Sequence, residues 1–236
     1  MPITPIARIG PCLLWMIDLD AELQDTGCLS RPELERADRF VFPQHRARYI
    51  AAHAALREIL SAQTGIAAAD LAFTEGEFGK PALAGHTGLH FNLSHSHSIG
   101  LVGVSREGEI GVDVEQLHAV SDALALAQTC FTPREVESLL ALPANARDRA
   151  FLSGWTRKEA VIKALGLGMS ADLQSLEVGL EHDERLLSCM VGRNRHQLLT
   201  ISIPMGEGML GAVAYDAPQP GGHAAPEKAA LVGALP

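Results

Sequence analysis

The feature that most restricts the fold of this chain is a repeated order of helix punctuation. Ser30-Arg31-Pro32-Glu33 and Thr132-Pro133-Arg134-Glu135 both read as capping boxes. In each, the hydroxyl residue accepts from an amide of the first turn, and the glutamate reaches back to the first amide. Each box predicts a short helix, the first ending near Phe40, and each is followed by a longer one. Pro43 opens a helix to about Gln63, with Ile50, Ala54, Leu56 and Leu60 on its buried face. A second long helix is predicted from about Asn145 to Leu165, closed by Gly166 and Gly168.

Short apolar runs fill the spaces between. Residues 11–19 precede the first box and read as a buried strand. Runs 71–74, 89–93, 99–104 and 110–114 follow the first helices, separated by turn residues such as Gly76, Gly79-Lys80-Pro81 and Gly108. Runs 176–180, 185–191, 198–203 and 209–214 follow the second helices. The order strand, helices, strands, then helices and strands again, predicts an α+β fold of two similar halves. We place them at 1–117 and 118–216, divided near Gln116 to Val120. The letters of the two halves are too dissimilar to count as a repeat. After Asp216 the composition turns to Pro, Gly and Ala, which predicts a flexible tail over 217–236.

Composition excludes several classes. The 236 residues are 47% hydrophobic, enough for a sizeable core. The formal net charge of -9 argues against general nucleic-acid binding, which needs Lys and Arg against phosphates. No apolar run approaches the ~20 residues of a membrane span. The segment to Trp15 lacks the charged start and apolar run of a signal peptide. Cys12, Cys28, Cys130 and Cys189 form no C-x-x-C pair, so they read as reduced thiols of a cytoplasmic protein.

Two elements carry chemistry. In Gly111-Val112-Asp113-Val114-Glu115, strand alternation puts both carboxylates on one face and both valines on the other. Paired hard oxygens suit Mg²⁺, which takes one or two carboxylates plus waters and phosphates. Taken alone, the pentapeptide reads first as an exposed acidic face of an edge strand. In Trp155-Thr156-Arg157-Lys158-Glu159-Ala160-Val161-Ile162-Lys163, helical spacing stacks Trp155, Glu159 and Lys163 in one stripe. Taken alone, that stripe reads first as a core tryptophan beside a surface Glu–Lys pair.

The combination decides. Phe91-Asn92-Leu93-Ser94-His95-Ser96, the Gly111–Glu115 pentapeptide and the Trp155–Lys163 segment, in this order, resemble the phosphopantetheinyl transferase superfamily. The resemblance is closest to its larger, monomeric class, typified by the surfactin-synthetase activator. Gly79-Lys80-Pro81 and Arg46-Ala47-Arg48-Tyr49-Ile50 fit the same class. The resemblance implies a pseudodimer of two α+β halves with the active site in the cleft between them. It implies transfer of the phosphopantetheine arm of coenzyme A to a serine of an apo acyl or peptidyl carrier protein, with Mg²⁺ as cofactor. Asp113, Glu115 and Glu159 match the metal-holding acids, Glu159 doubling as candidate base. Lys163 matches a phosphate-contacting lysine. Ser94 and His95 match positions at the pyrophosphate and 3′-phosphate, and Lys80, Arg48 and Arg36 match further coenzyme A contacts. Some relatives carry a basic residue where Glu33 stands, which implies a differently built 3′-phosphate grip here. Neither a membrane nor a nucleic acid is an implied partner.

Other residues take plainer roles. His95 and His97 lack a third ligand at zinc spacing. His86, His90 and His118 read as surface or packed histidines, and Glu135 as a helix cap. Arg46, Arg48 and Arg57 are candidates for a basic groove mouth. Two other classes stay compatible with the residues: a different Mg²⁺-dependent phosphate enzyme, and a silent coenzyme A-binding scaffold.

Overall fold

In the computed structural model the described residues are 3–22, 27–76, 78–85, 88–180, 184–217 and 230–231. His86 and residues 218–229 and 232–236 of the expected tail lie outside them. The chain opens with β1 (Ile3–Ile9) and β2 (Cys12–Asp18), then α1 (Arg31–Ala37) and α2 (Pro43–Thr64). A small hairpin, β3 (Phe73–Glu75) and β4 (Pro81–Leu83), leads to β5 (His90–Ser96), β6 (Ile99–Ser105) and β7 (Ile110–Gln116). Three helices follow: α3 (Ala123–Cys130), α4 (Pro133–Ala141) and α5 (Ala144–Leu165). The last strands are β8 (Arg185–Val191), β9 (Asn194–Ile203), β10 (Met209–Asp216) and the two-residue β11 (Ala230–Leu231).

The strands build two antiparallel sheets, ordered β11-β1-β2-β6-β5 and β7-β10-β9-β8. Strand alternation gives each sheet two apolar faces. Ile17, Phe91, Val102 and Val104 of the first sheet pack on Ala51, Ala52, Ala55, Leu56 and Leu60 of α2. The other face, with Ala7, Ile9, Leu14 and Leu101, packs on Ile110, Val112, Val114, Val213 and Tyr215 of the second sheet. That sheet's far face, with Leu187, Leu198, Ala212 and Ala214, meets Ala160, Val161, Ile162 and Ala164 of α5. The order of layers is helix, sheet, sheet, helix. The first half of α5 packs with α3 and α4 through Phe131, Leu139, Phe151 and Leu152.

The mixed α+β class and the elements at both capping boxes are as expected. Four differences have physical reasons. β7 lies ahead of the expected division near 116–120, yet it hydrogen-bonds to β10 and so belongs to the second sheet. Residues 176–180 form no strand: the amides of Val178 and Gly179 donate to Glu135 Oε1, at 2.7 and 2.9 Å, instead of to a sheet. β1, β4 and α3 have no strong pattern in sequence. Two residues of the expected tail, Ala230 and Leu231, pair with Arg8 and Ala7 on the edge of β1.

Arg57 corrects another expectation. It is not at a groove mouth but 1% exposed beneath α1. Its Nη2 lies 2.8 Å from Glu33 Oε2, its Nη1 donates to the carbonyls of Ala68 and Leu71, and its guanidinium lies over Phe73. Glu33 also accepts from the amide and hydroxyl of Ser30, so one carboxylate caps α1 and neutralises a buried cation. Burial pushes the Glu33 carboxyl up, but the bonds from Arg57 and Ser30 outweigh it, and the net direction is downward. A group held below its ordinary value contributes stability above its unfolded pKa and loses it as pH falls through the folded one. Glu33→Gln is therefore expected to cost on the order of 2 kcal/mol at neutral pH. The gap to wild type should persist through the ordinary carboxylate range and close only as pH falls below it, through the depressed folded value. Urea denaturation at neutral and acid pH checks both parts.

Candidate active site

The site begins with a glycine. Gly111, the second residue of β7, faces α5, and a Cβ there would run into the Ala160 carbonyl and the Ala164 amide. Only a residue without a side chain lets helix backbone lie directly on strand backbone. Asp113 and Glu115 share Gly111's face of the strand, so they also look toward α5. Glu159 and Lys163 flank Ala160 and Ala164 on that helix. One close approach thus brings two carboxylates of a strand to a carboxylate and an ammonium of a helix.

α5 is fixed in rotation by residues on its other side. Lys158 is fully buried: its Nζ lies 2.9 Å from Glu135 Oε2 and donates to the carbonyls of Leu173 and Leu176. Glu135, 3% exposed, completes the capping box at Thr132. Adjacent residues of the Lys158-Glu159 pair, about 100° apart around the helix, therefore serve different surroundings. The helix ends at Gly166, φ 66°, with the Leu167 amide donating to the Ile162 carbonyl.

The first sheet supplies the other wall. Phe91 and Leu93 of β5 face α2, so Asn92, Ser94 and Ser96 face the second sheet. Their side chains bond to successive residues of β7, with Ser96 Oγ also accepting from the Gln116 amide. Asn92 Oδ1 accepts from the Val112 amide at 2.9 Å, and Ser94 Oγ donates to Asp113 Oδ1 at 2.7 Å. Ser96 Oγ donates to Glu115 Oε2 at 2.8 Å. β5 and β7 are each the edge of their sheet, and these side chains join the two edges. Lys163 Nζ donates to Asp113 Oδ1 at 2.6 Å and to Ser94 Oγ at 2.9 Å.

A groove of about 840 Å³ runs along this seam. Lys80, Ser94, His95, Asp113, Glu115, Trp155, Glu159 and Lys163 all line it. Most of the residues singled out in sequence are therefore brought together. Arg36 and Arg48 are not in its lining: Arg36 lies over the Tyr49 ring, and Arg48 pairs with Asp20 at 2.6 Å. Arg46 pairs with Asp38. Lys80 lies in the groove wall with its ammonium bonded to Glu109 and to two backbone carbonyls. Phe78, Ile162 and Leu173 add apolar surface to the groove. Asn92, Ser96 and Gly111 were not assigned roles from sequence. Small polar residues at period two, alternating with Phe91 and Leu93, and a glycine inside a strand are the signals that mark them.

The electrostatics show a site short of positive charge. Burial pushes the Asp113 carboxyl up, against the pull of Lys163 and Ser94. Burial also raises Glu115 and Glu159, and the neighbouring carboxylates push the same way. Burial lowers His95, and Lys163 adds to that. Asp113, Glu115 and Glu159 share the groove with two lysines, of which Lys163 bonds to Asp113 while the Lys80 ammonium is taken up by Glu109. Asp113 Oδ2 is buried and has no hydrogen-bond partner among the described residues. An orphaned carboxylate oxygen in such a site fits a small divalent cation with hard oxygen ligands. Among the described residues, no three His, Cys, Asp or Glu side chains converge closely enough to hold a metal unaided.

A family model described as the 4′-phosphopantetheinyl transferase superfamily matches residues 109–202, from the start of β7 into β9. The chain is 42% identical over 178 residues to the 4′-phosphopantetheinyl transferase HetI of Nostoc sp., covering 72% of this chain and 75% of that protein. It is 31% identical over 158 residues to the transferase ffp of Bacillus subtilis, covering 67% and 69%. It is 30% identical over 155 residues to the transferase Sfp of Bacillus subtilis, covering 66% and 68%. The chain belongs to the 4′-phosphopantetheinyl transferase superfamily.

Gly111→Ala tests the geometry. A methyl group set against helix backbone has nowhere to go, and overpacking of this kind costs about 1–3 kcal/mol or more. We expect a lower denaturation midpoint for Gly111→Ala, whereas Gly192→Ala, in an open turn, should lose less. Equal midpoints for Gly111→Ala and wild type would contradict the close approach.

Proposed function

We propose that this chain moves the 4′-phosphopantetheine group of coenzyme A onto a serine of an apo acyl or peptidyl carrier protein, releasing 3′,5′-ADP, with Mg²⁺ as cofactor. The observation that carries the reading is the buried, donor-less Asp113 Oδ2 beside the Lys163 ammonium. Family membership supports the reaction class. In this reading the two sheets and their helices are a pseudodimer, the groove is the cleft between its halves, and the chain works as a monomer in the cytoplasm.

Asp113, Glu115 and Glu159 would hold the metal, which when bound neutralises charge on phosphate oxygens. Lys163 holds phosphate in the ground state and as the leaving group departs. Ser94 orients both Asp113 and Lys163. His95 lies close enough to Arg48 to feel its charge, and this side of β5 is where Arg48 and Arg36 would meet the 3′-phosphate. The carrier serine oxygen forms a bond to the β-phosphorus as the bond to the 3′,5′-ADP oxygen breaks. The serine proton passes to a base, for which Glu159 is the candidate. Positioning and charge stabilisation do most of the work in such a transfer.

Mass spectrometry of an apo-carrier incubated with the protein, coenzyme A and Mg²⁺ tests the whole reading. The carrier should gain one phosphopantetheine mass. Asp113→Ala should abolish the gain at low Mg²⁺ without unfolding the chain. Glu159→Gln should stop transfer yet largely spare coenzyme A binding by calorimetry, and Lys163→Ala should impair both. If Glu159 and Lys163 were only an exposed helix pair, either change would shift stability by about 0.5 kcal/mol and leave kinetics alone.

A further inference from the structure

Lys80 stands apart from the other basic residues of the groove. Its side chain is 16% exposed, and its ammonium has three acceptors. They are Glu109 Oε2 at 2.5 Å, the Ile110 carbonyl at 3.1 Å and the Ala164 carbonyl at 2.9 Å. An ammonium carries three donors, so none is left over for a ligand. Two of the acceptors flank the Gly111 contact. Ile110 precedes Gly111 on β7, and Ala164 is the residue of α5 whose amide faces it. The Ala164 carbonyl belongs to the last turn of the helix, where carbonyls have no partner within the helix and a cation is favoured. The aliphatic stem of Lys80 lies over Gly166, the left-handed residue that ends the helix. Glu109 is itself held, by His90 Nδ1 at 3.0 Å and through its amide by Asp216 Oδ2 at 3.0 Å.

We propose that the Lys80 side chain is a positioning group for the transfer reaction and that its ammonium is not a phosphate ligand. It locks the last turn of α5 to the start of β7, which fixes how far Lys163, one residue before Ala164, reaches toward Asp113. Residues 78–81 line the groove, so a ligand seated on them presses on the strut that sets the Lys163 ammonium. The kinetic part of this inference rests on the transferase reading. The structural part does not.

The variants are Lys80→Met, which keeps the stem and removes the ammonium, and Lys80→Arg, which keeps the charge. Amide hydrogen exchange of the free protein is followed at residues 163–167, with β9 and β10 as reference. Transfer kinetics are measured at varied coenzyme A. A strut predicts faster exchange at 163–167 in Lys80→Met with β9 and β10 unchanged. It also predicts kcat down by about tenfold or more, with the KM for coenzyme A changed by less than about threefold. Lys80→Arg should behave like Lys80→Met, because a flat guanidinium does not fit three acceptors gathered round a compact ammonium. A phosphate ligand predicts the reverse: KM rises, Lys80→Arg restores it, and exchange at 163–167 stays as in wild type. That pattern overturns the proposal. If Lys80→Met fails to fold, Glu109→Gln replaces it. Faster exchange at 163–167 in that variant supports the strut, and unchanged exchange sinks it. A wild-type protein inactive toward carriers would refute the transferase reading and leave the exchange result to decide the strut.

Discussion

The contact between Gly111 and the backbone of α5 governs the arrangement of the site. Helices usually rest on sheets through side chains, which keeps their polar termini and long residues away from strand side chains. Here the missing Cβ removes that spacer. The functional groups of strand and helix then fall within bonding range, as the 2.6 Å pair of Lys163 and Asp113 records. Buried Lys158, bonded to Glu135 and to the segment at 173–176, sets the helix rotation, and Lys80 ties down its end. Three constraints on one rigid helix leave Glu159 and Lys163 little freedom to sample other positions. Preorganisation of that kind is what a charge-stabilising site needs.

The second requirement is that two sheets meet at their edges. Strand edges ordinarily carry unpaired amides and carbonyls, and direct pairing of β5 with β7 would have merged the sheets into one. Side chains of Asn92, Ser94 and Ser96 take the place of a backbone ladder. They hold the edges a side chain apart, and the gap is where the groove opens. The same serines aim the carboxylates, so the joint between the layers and the orientation of the site are one set of bonds.

Much of this was legible in the sequence because it depends on local rules. Capping boxes, a proline at a helix start and a glycine at a helix end act over a few residues, and the helices they predict are present. The face shared by Asp113 and Glu115, and the stripe of Trp155, Glu159 and Lys163, follow from strand and helix periods alone. What periods cannot say is which sheet a strand joins. β7 was grouped with the strands before it, but its pairing with β10 is decided by contacts a hundred residues away. The apolar run at 176–180 has the letters of a strand, yet a single buried carboxylate on α4 takes its amides. The arginines were the least legible of all. Arg57 looks like any exposed helix cation until Glu33, on another helix, is seen beside it.

The way the two sheets meet has a consequence for how the protein behaves in a crowded solution. An open strand edge is a template for foreign strands, and proteins commonly blunt such edges. β5 and β7 shield one another, so the place that must stay open to a ligand is closed to intermolecular strand pairing. β8 has no such cover among the described residues. It is the last strand of its sheet, and Leu186 and Met190 stand exposed along it. If the folded chain self-associates at high concentration, that edge, and not the groove, is where the first added strand would find its register.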